Sequence, residues 1–190
     1  MINATRPAFG AWTLFLDRDG VLNKRQMNGY VTRPEDYEWL PGSLKSLAAL
    51  SQAFRHIVVV TNQQGVGKGF MKKEDLDAIH AKMMGDVYAA NGRIDAIYAA
   101  TGLRCNDSFR RKPGTGMALE AKKDFPAIRF DLSVMVGDTF TDMLFGHRMH
   151  MQTILISKTK NFPHNHYPLV QYQFASLQEC AAFLLTRKRT

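Results

Sequence analysis

Asp17 and Asp19 stand two residues apart in "LFLDRDGVLN", directly after an apolar run. A carboxylate at the end of a buried strand is costly unless something pairs with it. If the strand geometry continues, both carboxylates face the same way. Gly20 then lets the chain turn and bring backbone N–H groups toward an anion. Three other stretches carry groups suited to the same chemistry. "HIVVVTN" ends in the Thr61 hydroxyl and the Asn62 amide, and "RRKPGTGM" offers the Lys112 ammonium. "VMVGDTFTD" offers Asp138 and Asp142, four residues apart at a helix start and so able to share a face. Four aspartates brought to one place repel each other. A hard divalent cation resolves that conflict, and Mg²⁺ held by one or two carboxylates and a phosphate is the usual form.

The elements that must position these groups are legible as alternating short apolar runs and longer amphipathic segments. Strands are predicted over residues 12–17, 56–61, 94–100, 132–138 and 152–157, with a short last one near 172–175. Helices are predicted over 43–54, 72–91, 116–125, 141–150 and 176–185, with Ser43 placed to cap the first. Such alternation predicts an α/β fold: a doubly wound, mostly parallel sheet with helices on both faces. Ligands bind such sheets at the carboxyl ends of the strands, where the polar residues above fall. The longest irregular stretches are 20–42, 102–115 and 158–170, and long loops in a compact domain are usually functional or disordered. "GVGKG" lacks the full phosphate-loop pattern and is read as the flexible start of a loop into the 72–91 helix.

The chain has 190 residues, 45% of them hydrophobic and 22% charged. That length predicts a single domain over 1–190 with a core that needs no staples. Lys and Arg number 25 against 17 Asp and Glu, a formal charge of +8, which favours anionic partners. The basic residues are scattered in short pairs rather than gathered in one block. A small phosphorylated substrate is therefore the expected partner rather than nucleic acid. Two cysteines, Cys105 and Cys180, supply neither a disulfide framework nor the four ligands of a structural zinc site. His164 and His166 in "HNHYP" have metal-like spacing but no further ligand nearby, so a solvated loop is expected there. There is no signal-peptide pattern and no membrane-length apolar run. The expectation is a cytoplasmic protein, monomeric, with no membrane partner.

Four motifs together carry a resemblance. "DRDGV", "TN", "RKP" and "GDTFTD" resemble, in order and over almost the whole chain, the four motifs of the haloacid-dehalogenase (HAD)-like phosphohydrolase superfamily. The longer stretches "GYVTRPEDYEWLPG", "VTNQQGVGKG", "RKPGTGM" and "VGDTFTDM" look like its heptose-bisphosphate and histidinol-phosphate phosphatase branch. "TNQQGVGKG" and "RKPGTGM" also resemble the phosphatase domain of polynucleotide kinase-phosphatases. "YAATGLRCNDSFRRKP" departs from the heptose enzymes that carry a Cys-x-His … Cys-x-Cys zinc loop before the lysine, and no zinc is expected here.

The resemblance implies a Rossmann-type three-layer sandwich with a minimal cap, and phosphoryl transfer through an aspartyl phosphate. It makes Asp17 the nucleophile and Asp19 the acid and base. Lys112 would offset charge on the phosphate, and Mg²⁺ would be held by Asp17, the backbone carbonyl of Asp19, and Asp138. Asp142 would orient Lys112 or a bound water rather than ligate the metal. Thr61 would donate to the phosphate, and Asn62 and Arg111 would contact substrate oxygens, although Arg111 could equally face water. The expected substrate is D-glycero-D-manno-heptose 1,7-bisphosphate, losing its 7-phosphate. Histidinol phosphate, a nucleic-acid 3′-phosphate and a non-catalytic phosphate-binding role remain as alternatives. Arg110 and Arg111 are the residues expected to grip a second phosphate.

Overall fold

Among the described residues, the β-branched and aromatic runs form six strands: β1 (Phe9–Leu16), β2 (Phe54–Asn62), β3 (Ala96–Ala100), β4 (Ser133–Gly137), β5 (Gln152–Ile156) and β6 (Tyr172–Phe174). The computed structural model describes residues 9–27, 29–159 and 169–186. All pairings are parallel, in the order β3-β2-β1-β4-β5-β6. The connecting helices are α1 (Ser43–Ala53), α2 (Gln64–Gly67), α3 (Lys73–Ala89), α4 (Gly116–Asp124), α5 (Phe140–Arg148) and α6 (Leu177–Thr186). Among the described residues no helix is long and apolar enough to cross a membrane.

Two apolar layers hold helices to both faces, as the alternation predicts. Leu14, Leu16, Ile57, Val59, Val134 and Val136 face one cluster with Leu47 of α1, Ile79 and Met83 of α3, and Leu184 of α6. Phe15, Val58, Val60 and Met135 face the other with Met117 and Ala121 of α4 and Phe145 of α5. The two-residue period of a strand sends neighbours to opposite faces. Each fully buried side chain of this size contributes roughly 1.5–3 kcal/mol.

From β1 the chain winds outward through β2 to β3, then crosses back beside β1 and winds the other way through β4, β5 and β6. The direction reverses between β1 and β4. Beyond the carboxyl ends of such a strand pair the loops diverge and leave a crevice.

Two local expectations are corrected. Ser43 does not cap α1: the cap position is Gly42, and the Ser43 hydroxyl donates to the Val21 carbonyl at 3.0 Å. The serine ties α1 to the turn after β1 instead of closing its own helix. "GVGKG" is not simply loop, because Gln64–Gly67 form one helical turn directly after β2. Segment 20–42 folds back on itself through Lys24 N–H to Glu38 O (2.8 Å) and Leu40 N–H to Leu22 O (2.9 Å). Trp39 Nε1 anchors it to Asp86 of α3 at 2.8 Å. His164 and His166, and most of the 158–170 loop, lie outside the described residues.

Candidate active site

Asp17 follows β1 immediately, and its N–H donates to Val136 O of β4 at 2.9 Å. The strand does not continue to Asp19. The chain turns, with Leu22 N–H on Arg18 O and Gly20 N–H on Asn23 O, both at 2.8 Å. The turn, not strand alternation, brings both carboxylates to one cavity. Gly20 has φ 95°, and a Cβ there would lie 1.9 Å from Asp138 Oδ2. Only glycine supplies both the left-handed backbone and the room for the carboxylate after β4.

Lys112 reaches this point from the loop between β3 and α4. Its Nζ donates to Asp17 Oδ1 at 2.8 Å and to Val60 O at 2.6 Å, and lies 2.6 Å from Asp142 Oδ1. The lysine side chain is 1% exposed. Burial works against its charge, but Asp142 and Asp17 outweigh burial and hold its pKa above the ordinary lysine value. Burial raises the Asp17 carboxyl to about 7 against the pull of Lys112, and Asp142, Asp138 and Asp19 push the same way as burial. Asp142 uses its other oxygen to cap α5, accepting from Thr139 N at 3.0 Å and Thr139 Oγ1 at 2.6 Å. The helix-cap acid and the partner of Lys112 are thus one residue.

Asn62 is expected at substrate oxygens, and its amide also pairs with the lysine backbone. Nδ2 donates to Lys112 O at 3.2 Å, and Oδ1 accepts from Lys112 N at 2.9 Å. The amide braces the lysine backbone, and Asn62 also lines the cavity beside it. Thr61 Oγ1 accepts from Gln63 Nε2 at 2.8 Å, which leaves its proton free to donate into the cavity.

Asp19 has a different surrounding. Arg18 Nη2 donates to both carboxylate oxygens at 3.0 Å, Asn23 Nδ2 to Oδ1 at 2.9 Å and Gln63 Nε2 to Oδ2 at 2.7 Å. Burial opposes ionisation, but Arg18 and the amide donors outweigh it and hold this carboxyl below the usual range. Arg18 is itself 1% exposed and also donates to His80 Nε2 at 3.3 Å.

Asp138 follows β4. Arg25 grips it with Nη2 to Oδ1 at 2.7 Å and Nε to Oδ2 at 3.2 Å. Burial raises the Asp138 carboxyl to about 6, with Arg25 opposing and Asp142 adding to the rise. Among the described residues, Asp17, Asp138 and Asp142 form the one group that could hold a metal, with ligand oxygens within 4.8 Å of one another. Hard oxygens with two pKa values raised by burial and mutual repulsion fit a small divalent cation. Asp142 is engaged by Lys112 and Thr139, and Asp138 by Arg25, so a metal there takes oxygens that these groups also hold.

Two cavities adjoin. The first, of about 210 Å³, is lined by Asp17, Asp19, Thr61, Asn62, Arg111 and Lys112 together with Arg25 and Asp142. The second, of about 350 Å³, shares Asn62, Arg111, Lys112 and Thr141 with it and adds Arg104 and Arg148. Arg111 belongs to both. Burial lowers its pKa, and its Nη1 is buried with no hydrogen-bond partner. Arg110 is not part of either cavity, because Glu120 holds it by two bonds at 2.6 and 2.9 Å. The sequence reading missed Arg18, Asn23, Arg25 and Gln63. Arg18, Asn23 and Gln63 lie inside the quoted motifs and Arg25 just after the first, yet a polar residue beside a catalytic one gives no sign of its partner until the turn is built.

An all-parallel sheet with reversed winding, and an aspartate-lysine cluster at the reversal, define a HAD-like phosphatase. The chain belongs to the polynucleotide kinase 3 phosphatase family, whose sequence model matches residues 13–179. It is 37% identical over 138 residues to the D-glycero-alpha-D-manno-heptose-1,7-bisphosphate 7-phosphatase of Mycobacterium tuberculosis, covering 73% of each chain. It is 33% identical to the D-glycero-beta-D-manno-heptose-1,7-bisphosphate 7-phosphatase of Rhodopseudomonas palustris, covering 68% of this chain and 74% of that one. The crystal structure of D,D-heptose 1,7-bisphosphate phosphatase from Bordetella bronchiseptica, complexed with magnesium and phosphate, superposes with a TM-score of 0.80 at 28% identity. It covers 92% of this chain and 98% of that one.

Proposed function

We propose that this phosphatase removes the 7-phosphate of D-glycero-D-manno-heptose 1,7-bisphosphate, through an aspartyl phosphate on Asp17. The observation that carries the substrate is the pair of adjoining cavities. One holds the reactive aspartate, and its neighbour gathers Arg104, Arg111 and Arg148. A second phosphate is the ligand such guanidinium groups grip. The names of the relatives agree with this reading.

Lys112 holds the Asp17 carboxylate at 2.8 Å, which orients the nucleophile for in-line attack on phosphorus. An anionic nucleophile and an anionic phosphate about 4 Å apart repel by roughly 4 kcal/mol at an effective dielectric near 20. Lys112 offsets part of this, and Thr61 and Arg111 donate to phosphate oxygens. Mg²⁺, when bound by Asp17, the Asp19 carbonyl and Asp138, supplies further charge neutralisation. Asp19 is held ionised by Arg18. A phosphate dianion beside it raises the cost of that charge, which is the condition for Asp19 to carry a proton to the leaving oxygen. It then takes a proton from the water that cleaves the aspartyl phosphate.

The test is a comparison of kcat/KM, in Mg²⁺, for both anomers of the sugar bisphosphate, histidinol phosphate and a 3′-phosphorylated oligonucleotide. The bisphosphate should be preferred, and Arg104→Ala should weaken it while sparing a monophosphate. An equal or higher value for histidinol phosphate or the oligonucleotide would overturn the substrate assignment.

A further inference from the structure

The oxygens that the proposed metal needs are oxygens that Arg25 touches. Its Nη2 donates to Asp138 Oδ1 at 2.7 Å and to the Asp19 carbonyl at 2.9 Å, and lies 3.8 Å from Asp17 Oδ2. Its Nε donates to Asp138 Oδ2 at 3.2 Å. These are the groups assigned to Mg²⁺ above, so the inference rests on that reading. A magnesium ion needs its oxygens at about 2.0–2.1 Å in near-octahedral order. A guanidinium seated among the same oxygens occupies the space where those bonds must form.

The two cations of the site differ in how they are held. Lys112 is 1% exposed and fixed by Asp17, Asp142 and the Val60 carbonyl. Arg25 is 43% exposed and stands on the returning loop after Asn23. Its side chain can swing toward solvent without unpacking the core. Arg25 lines the smaller cavity, whereas Asp138 does not. A cation arriving through that cavity meets the arginine beside Asp17 and Asp19.

We propose that Arg25 is a displaceable counter-ion of the Asp17–Asp138 pair, which competes with the divalent cation for the same oxygens. Metal entry is an exchange, one cation for another, and the arginine weakens metal affinity by the contacts it gives up.

Isothermal titration of the full chain with Mg²⁺, without substrate, tests this. Arg25→Gln should bind Mg²⁺ about tenfold more tightly than the wild type, the worth of a charged hydrogen-bonded pair discounted for partial exposure. Arg25→Lys should fall between them, because one ammonium cannot reproduce the guanidinium fork. Arg111→Gln removes the same charge from the same cavity with no bond to the aspartates, and should stay within about twofold of the wild type. Unfolding midpoints give a second reading: Mg²⁺ should raise that of Arg25→Gln more than that of the wild type. Equal or weaker binding by Arg25→Gln would overturn the competition while leaving the metal site standing. An equal gain in Arg111→Gln would overturn it too, since net charge would then set the affinity. If neither the wild type nor any variant takes up Mg²⁺, the metal reading falls and the competition with it.

Discussion

Asp17 and Asp19 carry the same functional group and differ in everything that touches it. Asp17 faces Lys112 and three other aspartates, while Asp19 faces Arg18, Asn23 and Gln63. Their asparagine variants should fail differently. Asp17→Asn removes the nucleophile and should release nothing from any substrate. Asp19→Asn keeps the nucleophile, and p-nitrophenyl phosphate needs little acid help because its leaving group is a stabilised anion. Rapid mixing should then show a burst of about one nitrophenol per enzyme followed by slow turnover, while sugar phosphates stall at the first step. A burst in Asp17→Asn, or unchanged sugar-phosphate turnover in Asp19→Asn, would reverse the assignments. His80 gives a prediction of another kind. Burial and the neighbouring Arg18 lower its pKa to about 4, so it stays neutral in the fold. Below the unfolded value of about 6.5 the unfolded chain binds a proton that the folded one refuses, so this stability is lost as pH falls from about 6.5 toward 4. Between pH 7.5 and pH 5 the wild type should lose up to about 2 kcal/mol more than His80→Gln in urea unfolding. Parallel losses would mean that the histidine is not the cause.

At the scale of elements, the turn after β1 is where the site is made or lost. In Gly20→Ala the new Cβ meets the Asp138 carboxylate at 1.9 Å on a backbone with φ 95°. Stability should fall by about 1–3 kcal/mol, and kcat/KM by on the order of a hundredfold, the cost of a misplaced group. Calorimetry and steady-state kinetics would show both, and a variant of native activity would deny the turn its role. The strands and helices were legible because their apolar residues recur with periods of 2 and 3.6, and that pattern carries into both layers of the core. Element ends were less legible. Ser43 reads as a helix cap, but a hydroxyl that finds Val21 O across the fold serves tertiary structure rather than its own helix. The aspartates and Lys112 were legible from type and spacing. Asn62 was visible as polar, yet its role as a brace for Lys112 depends on a strand end and a loop 50 residues apart meeting. Arg25 reads as one of the scattered basic residues until the loop that carries it is folded.

At the scale of the whole molecule, the two cysteines occupy opposite environments. Cys105 is exposed, while Cys180 is buried in the core and burial pushes its thiol up to about 12. A disulfide dye should titrate one thiol quickly in the native protein and the second only after unfolding. Two fast thiols would show that α6 opens readily. Elemental analysis of purified protein should find no stoichiometric zinc, and one tightly held zinc per chain would contradict the expectation drawn from the loop around Cys105. The order of the strands has one more consequence. Strands β3, β2 and β1 come from the first part of the chain, and β4, β5 and β6 from the second. The cavity lies on the seam between them. Asp17, Asp19, Thr61 and Asn62 come from the first part of the chain, and Lys112, Asp138 and Asp142 from the second. A cut in the exposed stretch 104–106 divides the gene product into two pieces, each with an incomplete set of charges. Expressed together, the pieces should regain phosphatase activity only as they reassemble, so turnover would become a light-switch for the meeting of any two proteins fused to them.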